Sequence, residues 1–118
     1  MAQIVRKSAS KPEESREFPN GNIALLNVGG ADVGLATFEP GWRWSEDVKP
    51  LAGTDHCDAA HMGYTVSGKL IVQMADGDET EISAGDFFAI PAGHDAWVVG
   101  DEPCVMVDWQ GMADYAKQ

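Results

Sequence analysis

From Ile23 onward the chain is a succession of short runs rich in Val, Ile, Leu, Phe and Trp. Each run ends at a turn-forming pair: Gly29-Gly30, Pro40-Gly41, Ser67-Gly68, Asp76-Gly77, Ala84-Gly85 or Ala92-Gly93. Runs this short and this regularly interrupted read as strands, and a series of them predicts an all-β sandwich or barrel. The clearest hairpin joins Lys69–Met74 to Glu79–Ile82 through Ala75-Asp76-Gly77-Asp78, because Asp-Gly tolerates the positive φ of a tight reversal. Residues 1–22 read as an N-terminal arm, in which Ser10 followed by Glu13 has the spacing of a capped helical turn. Residues 23–111 read as the barrel, and residues 112–118 as a tail with room for one helical turn.

Length and charge narrow the picture. At 118 residues with 44% hydrophobic content, the chain makes one domain with enough apolar side chain for a core. Eight basic against 19 acidic residues leave a net charge of -11, which repels phosphate backbones and anionic lipid, so neither nucleic acid nor membrane is expected as a partner. The opening Met1-Ala2-Gln3-Ile4-Val5-Arg6-Lys7-Ser8 lacks the apolar stretch of a secretory signal, and no run approaches a transmembrane span, which predicts a cytoplasmic protein. Cys57 and Cys104 are too few for a disulfide scaffold and are expected as thiols.

The three histidines occupy two stretches with regular spacing. The first runs from Gly41 to Gly68 and contains Thr54, His56, Cys57 and His61; the second runs through Gly85, Pro91, Gly93, His94 and Ala96. Together they resemble the two conserved motifs of the cupin family. There the first motif reads Gly, a spacer, His-x-His, a short spacer, Glu, a longer spacer and Gly, and the second reads Gly, a spacer, Pro-x-Gly, two residues and His. Aligning Gly68 with the closing glycine puts His61 at the family's Glu, His56 at the second His and Thr54 at the first. In the second motif Gly85, Pro91 and Gly93 match, Ala96 stands at the ligand position, and His94 lies two residues before it. The resemblance spans roughly residues 34 to 110 and implies a single-domain jelly-roll barrel, the double-stranded β-helix, that dimerises. Trp42-Arg43-Trp44-Ser45 with Val48-Lys49-Pro50, and Gly93-His94-Asp95-Ala96-Trp97-Val98, further resemble a bacterial subgroup of small cupins. In that subgroup the residues matching Cys57, His61 and His94 recur, while the position of His56 is commonly Ser.

In the family the aligned side chains hold a metal inside the barrel, which makes His56, Cys57, His61 and His94 the candidate ligands here. On a strand, residues two apart share a face, so Thr54 is expected beside His56 and His94 beside Ala96, pointing inward. Two or three imidazoles, with Cys57 in place of His56 as the alternative third donor, suit Zn, Fe, Ni or Cu and leave a position open for a small molecule. Replacing the family's Glu by His61 removes the carboxylate that would favour Mn. Asp55, Asp58 and Asp95 are candidates for orienting the imidazoles. Trp44 is the expected pocket wall for a small organic ligand, whereas Tyr64 and Trp97, at odd offsets from His61 and His94, are expected to pack elsewhere. The resemblance leaves three functions open: a metal-dependent isomerase, dioxygenase or decarboxylase; a module that senses a ligand or metal without turnover; and a metal-free barrel that associates with another protein. A homodimer is expected in addition, because exposed strand edges are usually paired or covered.

Overall fold

The computed structural model describes residues 3–111. Nine strands and two short helices follow one another: β1 (Glu14–Phe18), β2 (Gly21–Val28), β3 (Ala31–Phe38), α1 (Trp44–Asp47), α2 (Lys49–Ala52), β4 (His61–Ser67), β5 (Lys69–Met74), β6 (Glu79–Ser83), β7 (Phe87–Ile90), β8 (His94–Val98) and β9 (Cys104–Asp108). The strands form a six-stranded sheet in the order β1-β2-β3-β9-β4-β7 and a three-stranded sheet in the order β6-β5-β8. Every pairing is antiparallel. The all-β class and the two-layered barrel expected from the punctuated runs are therefore present. The expected Asp76-Gly77 hairpin forms, with Gln73 opposite Glu79, Gly77 at φ 95° and its N–H donating to the Met74 carbonyl at 2.9 Å.

Alternation on the strands decides which side chains enter the barrel. On β9, Cys104, Met106 and Asp108 are buried while Val105 and Val107 are half-exposed; on β8, His94 and Ala96 are buried while Asp95 and Trp97 are not. The inward residues of the two sheets meet in one core that includes Ile23, Ala36, Phe38, Leu70, Val72, Ile90 and Met106. One end is closed by aromatic rings: Phe38 lies 4.1 Å from Trp42 between centroids, and Phe18 packs 6.1 Å from Phe38.

Two local expectations are corrected, and one feature is new. The segment holding Ser10 and Glu13 makes no helical turn; Glu14–Phe18 pairs with β2 as an edge strand and brings Phe18 into the core. Thr54 and His56 lie on no strand but in a bend, where the Thr54 hydroxyl donates to the His56 carbonyl at 2.6 Å. The two helical turns preceding that bend were not expected. They arise because Trp42 and Trp44 both point inward, at 2% and 1% exposure, so the backbone between and after them must curl over the barrel mouth. Arg43 points the other way, stacking 4.2 Å over Trp97 and pairing with Asp95 at 3.6 Å, while Asp95 also accepts the Ser45 N–H at 3.1 Å. The helical turn expected in the tail lies outside the described residues.

β4 lies unusually close to its neighbour β9 at Gly63. A Cβ there would overlap the Val107 carbonyl oxygen and crowd the Phe88 ring, whereas a Cβ at Gly29 meets nothing. Gly63→Ala should therefore destabilise the fold by about 3 kcal/mol, as over-packing does in a rigid site. Gly29→Ala, at φ 61°, should cost only about 1 kcal/mol for its left-handed backbone. Urea unfolding of both variants checks the contrast; equal losses would show that the β4–β9 pairing can relax.

Candidate metal centre

His61 opens β4 and His94 opens β8, so the two imidazoles enter the interior from opposite sheets. Their rings lie 5.2 Å apart between centroids, edge to face at 69°. Cys57 joins them through its backbone: its N–H donates to the His94 carbonyl at 2.8 Å, and the Gly93 N–H donates to the Cys57 carbonyl at 2.7 Å. Gly93, at φ 90°, turns the chain from Pro91 into β8 so that this contact can form. One ligand atom from each of Cys57, His61 and His94 lies within 4.8 Å of the others, and all three residues are buried. The Cys57 Sγ and His61 Nε2 are 3.6 Å apart.

The outer nitrogen of each imidazole is held from behind. Nδ1 of His61 donates to Asp108 Oδ2 at 2.6 Å, and Nδ1 of His94 donates to the Pro91 carbonyl at 2.8 Å. Fixing Nδ1 in this way leaves Nε2 of each ring as the available donor atom, an arrangement that metal-ligating histidines commonly use. Asp108 is itself held: its Oδ1 accepts the N–H groups of Gln110 at 2.8 Å and Gly111 at 2.9 Å. Gly111 lies so close that a Cβ there would overlap the His61 ring and the Ala60 carbonyl.

These contacts also set the charges. Burial pushes the Cys57 thiol up, but hydrogen bonds from His61 and then His94 outweigh it and bring its pKa down to about 6. Burial lowers that of His61, yet the bonds to Asp108 and then Cys57 raise it to about 9. Burial likewise opposes the charged form of Asp108, and the bonds from His61, Gly111 and Gln110 hold its carboxyl below the usual range. Without a metal, a thiolate facing an imidazolium is thus the favoured state near neutrality. Cys104, the other free thiol, is pushed by burial and by Glu102 up to about 12.

Next to the three donors lies a cavity of about 30 Å³, lined mostly by apolar side chains that include Trp42, Trp44, Leu70, Phe88 and Met106, with His61, His94 and Asp108 as its polar wall. Trp44 is among the residues that line the cavity. Trp42 is too, and its buried indole N–H has no hydrogen-bond partner among the described residues. Tyr64 packs outside against Phe87, 4.7 Å between centroids, and Trp97 lies under Arg43.

Of the candidate ligands, the structure brings together Cys57, His61 and His94 and leaves His56 out. His56 is half-buried in the bend, where its neighbour Cys57, rather than His56 itself, turns inward. The three orienting acids expected from proximity do other work: Asp55 is 93% exposed beside Lys49, Asp58 is exposed, and Asp95 bonds the Ser45 N–H and Arg43. The orienting acid is Asp108. Its signal in the sequence was an acidic residue at an inward position of the alternating run Cys104-Val105-Met106-Val107-Asp108.

In the metal-free protein, thiolate absorbance should appear with a midpoint near pH 6 in the wild type and be missing in Cys57→Ser. A thiol pKa depressed from its ordinary 9.0 contributes stability that is complete above 9.0 and lost as pH falls through about 6. The stability difference between wild type and Cys57→Ser should accordingly grow from pH 6 towards pH 9. Thiolate appearing only above pH 8 would show that the two imidazoles do not act on the sulfur.

Comparison with known proteins places the fold. The Cupin_2 family model, described as a cupin domain, matches residues 34–110. Among solved structures, a protein of unknown function from Vibrio parahaemolyticus is 20% identical with a TM-score of 0.55, over 75% of this chain and 86% of that one. A sugar phosphate isomerase of the cupin superfamily from Silicibacter pomeroyi is 18% identical with a TM-score of 0.57, over 85% and 71%. Oxalate decarboxylase from Bacillus subtilis, which has Mn(II) centres, is 25% identical with a TM-score of 0.52; the alignment covers 86% of this chain but only 27% of the decarboxylase. No curated protein sequence matches the chain. The family match runs over most of the chain, over strands β4 to β9 in full and over most of β3, and on that ground the chain belongs to the cupin-domain family.

Proposed function

We propose that this barrel binds one divalent transition metal through Cys57, His61 and His94 and presents it to a small oxygenated organic molecule in the adjoining cavity. The observation that carries the reading is the convergence of three buried donor atoms within 4.8 Å, with both imidazoles held at Nδ1 from behind. The donor set fits such an ion. One thiolate and two imidazoles favour Zn, Fe, Ni or Cu over the oxygen-seeking Mn, and three protein ligands leave a coordination position open. When bound, the ion would supply Lewis acidity or redox chemistry at that position.

The chain's own residues do the rest. Asp108 keeps the His61 proton on Nδ1 and so keeps Nε2 free for coordination, and the Pro91 carbonyl does the same for His94. The apolar walls exclude water, and an oxygen acceptor in the cavity would satisfy the Trp42 N–H that otherwise lacks a partner. A volume of about 30 Å³ admits little more than two waters, so a ligand of more than a few atoms has to enter with movement of the mouth around Trp42 and Trp44. The fold neighbours named for oxalate and sugar phosphate chemistry point to the same broad class of molecule.

A non-catalytic sensing module is the second reading, and one observation favours it. Every titratable group on the cavity wall, His61, His94 and Asp108, belongs to the donor set or its support, so no described residue there is free to act as general acid or base. Two buried free thiols accord with the reducing setting of a cytoplasmic protein.

Elemental analysis of protein purified without a histidine tag should find about one transition metal per chain. His61→Ala and Cys57→Ala should lose it while circular dichroism shows the fold retained, and His56→Ala should keep it. Asp108→Asn should weaken affinity roughly 10- to 100-fold, the usual effect of removing an orienting acceptor. Absence of metal after incubation with Zn, Fe, Ni and Cu would sink the proposal, and so would equal loss in His56→Ala and His61→Ala.

A further inference from the structure

The two sheets separate along one side of the barrel. β6 and β7 leave the turn at Gly85 for different sheets, each as an edge strand, and do not pair with one another. Next to the turn the layers stay together, because the Thr65 N–H donates to the Asp86 carbonyl and the Gly85 N–H to the Thr65 carbonyl, each at 2.9 Å. Further along they part: on the inward face of β6, Ile82 is buried, but Thr80, two residues farther from the turn, is exposed. The opening is a groove of about 480 Å³, against about 30 Å³ for the donor cavity. Pockets for small organic ligands fall at about 300 to 1,000 Å³. Val72, Phe88 and Ile90 line both spaces, so the same side chains form the partition between the groove and the cavity of His61 and His94. Phe88 is the least buried of the three.

We infer that this groove holds the body of the ligand whose oxygen-bearing end reaches the donor cavity, and that the body is a short apolar chain or ring carrying a protonated amine. The oxygen end rests on the metal-binding reading above; the groove does not. Met74, Ile82, Phe88, Ile90 and Pro91 give the groove its apolar surface, Asp78, Glu81 and Asp86 give it negative charge, and no Lys, Arg or His lines it. Among the described residues, Asp78 and Glu81 pair with no basic side chain. Asp86 uses one oxygen to accept the Ser83 N–H at 2.8 Å. Carboxylates are common on a chain with 19 acidic residues, and by themselves they would mean only a wet surface. Here they flank an apolar groove that adjoins a cavity in which the indole N–H of Trp42, a residue 2% exposed, lacks an acceptor. An oxygen at one end of the ligand answers the indole, and an ammonium at the other answers the acids. The same three carboxylates disfavour an anionic body. The mouth at Trp42 and Trp44 widens the cavity, and Phe88, turning aside, lengthens it into the groove.

Ligand titration of the full chain in two states tests this. In metal-free protein, millimolar hexylamine should shift the backbone amide NMR signals of Thr80, Ile82 and Ala89, and hexanoate should not. Replacing both exposed acids, Asp78→Asn with Glu81→Gln, should weaken the hexylamine effect by about fivefold or more. In zinc-loaded protein, calorimetry should find aminohexanohydroxamate at least about tenfold tighter than acetohydroxamate, whose chain is too short to leave the cavity. Thr80→Trp, which fills the groove from an exposed position, should erase that gain; circular dichroism shows that the variant folds. Equal affinity of the two hydroxamates for protein that holds zinc overturns the inference and leaves the metal reading standing. Protein that takes up no zinc overturns the metal reading alone. The groove is then decided by the metal-free titration, where no shift, or equal shifts with hexylamine and hexanoate, overturns it.

Discussion

The hydrogen bond from His61 Nδ1 to Asp108 Oδ2 is the contact on which the rest of the interior depends. A carboxylate that is 1% exposed is costly to bury unless its charge is met and its lone pairs are used. Here His61 meets one oxygen, and the Gln110 and Gly111 N–H groups meet the other. The same contact turns the His61 ring so that Nε2 faces Cys57, while the other carboxylate oxygen holds the turn at Gln110 and Gly111 that follows β9. Breaking it removes more than one interaction: it frees the ring and leaves a buried charge without its counter-charge.

That contact also shows what the sequence could and could not reveal. Cys57, His61 and His94 were legible because motif spacing places two of them on strands of known direction and one next to an expected ligand position. His56 against Cys57 was not decidable by parity, since parity holds only on a regular strand and the segment from Thr54 to Cys57 is a bend. What turns Cys57 inward is a pair of backbone hydrogen bonds to β8, a long-range contact with no local signature. Asp108 was missed for the opposite reason. Its strand alternates cleanly, and an acid among the inward positions Cys104 and Met106 was the available clue, but proximity in sequence drew attention to Asp55, Asp58 and Asp95 instead.

The fold followed the same division. Strand runs and glycine-marked turns gave the architecture, because alternation and turn chemistry are local. The first strand was hidden in a polar segment, Glu14-Ser15-Arg16-Glu17-Phe18, whose single buried side chain leaves almost no periodicity to read. The helical turns after Trp42 were hidden too. They come from two tryptophans that must both reach the barrel mouth, with Arg43 between them anchored outside on Trp97 and Asp95.

The three donors are divided between the layers: His61 belongs to the large sheet, and Cys57 and His94 form a backbone-clipped pair on the small one. Their mutual spacing is therefore a gauge of the gap between sheets, set by the side chains that fill it. Val72, Ile90 and Met106 line the cavity without offering a donor atom, yet a change in their bulk moves one jaw of the site against the other. Core and site are in this sense a single mechanical object, and the selectivity of the donors is written partly in the volume of the hydrocarbon behind them.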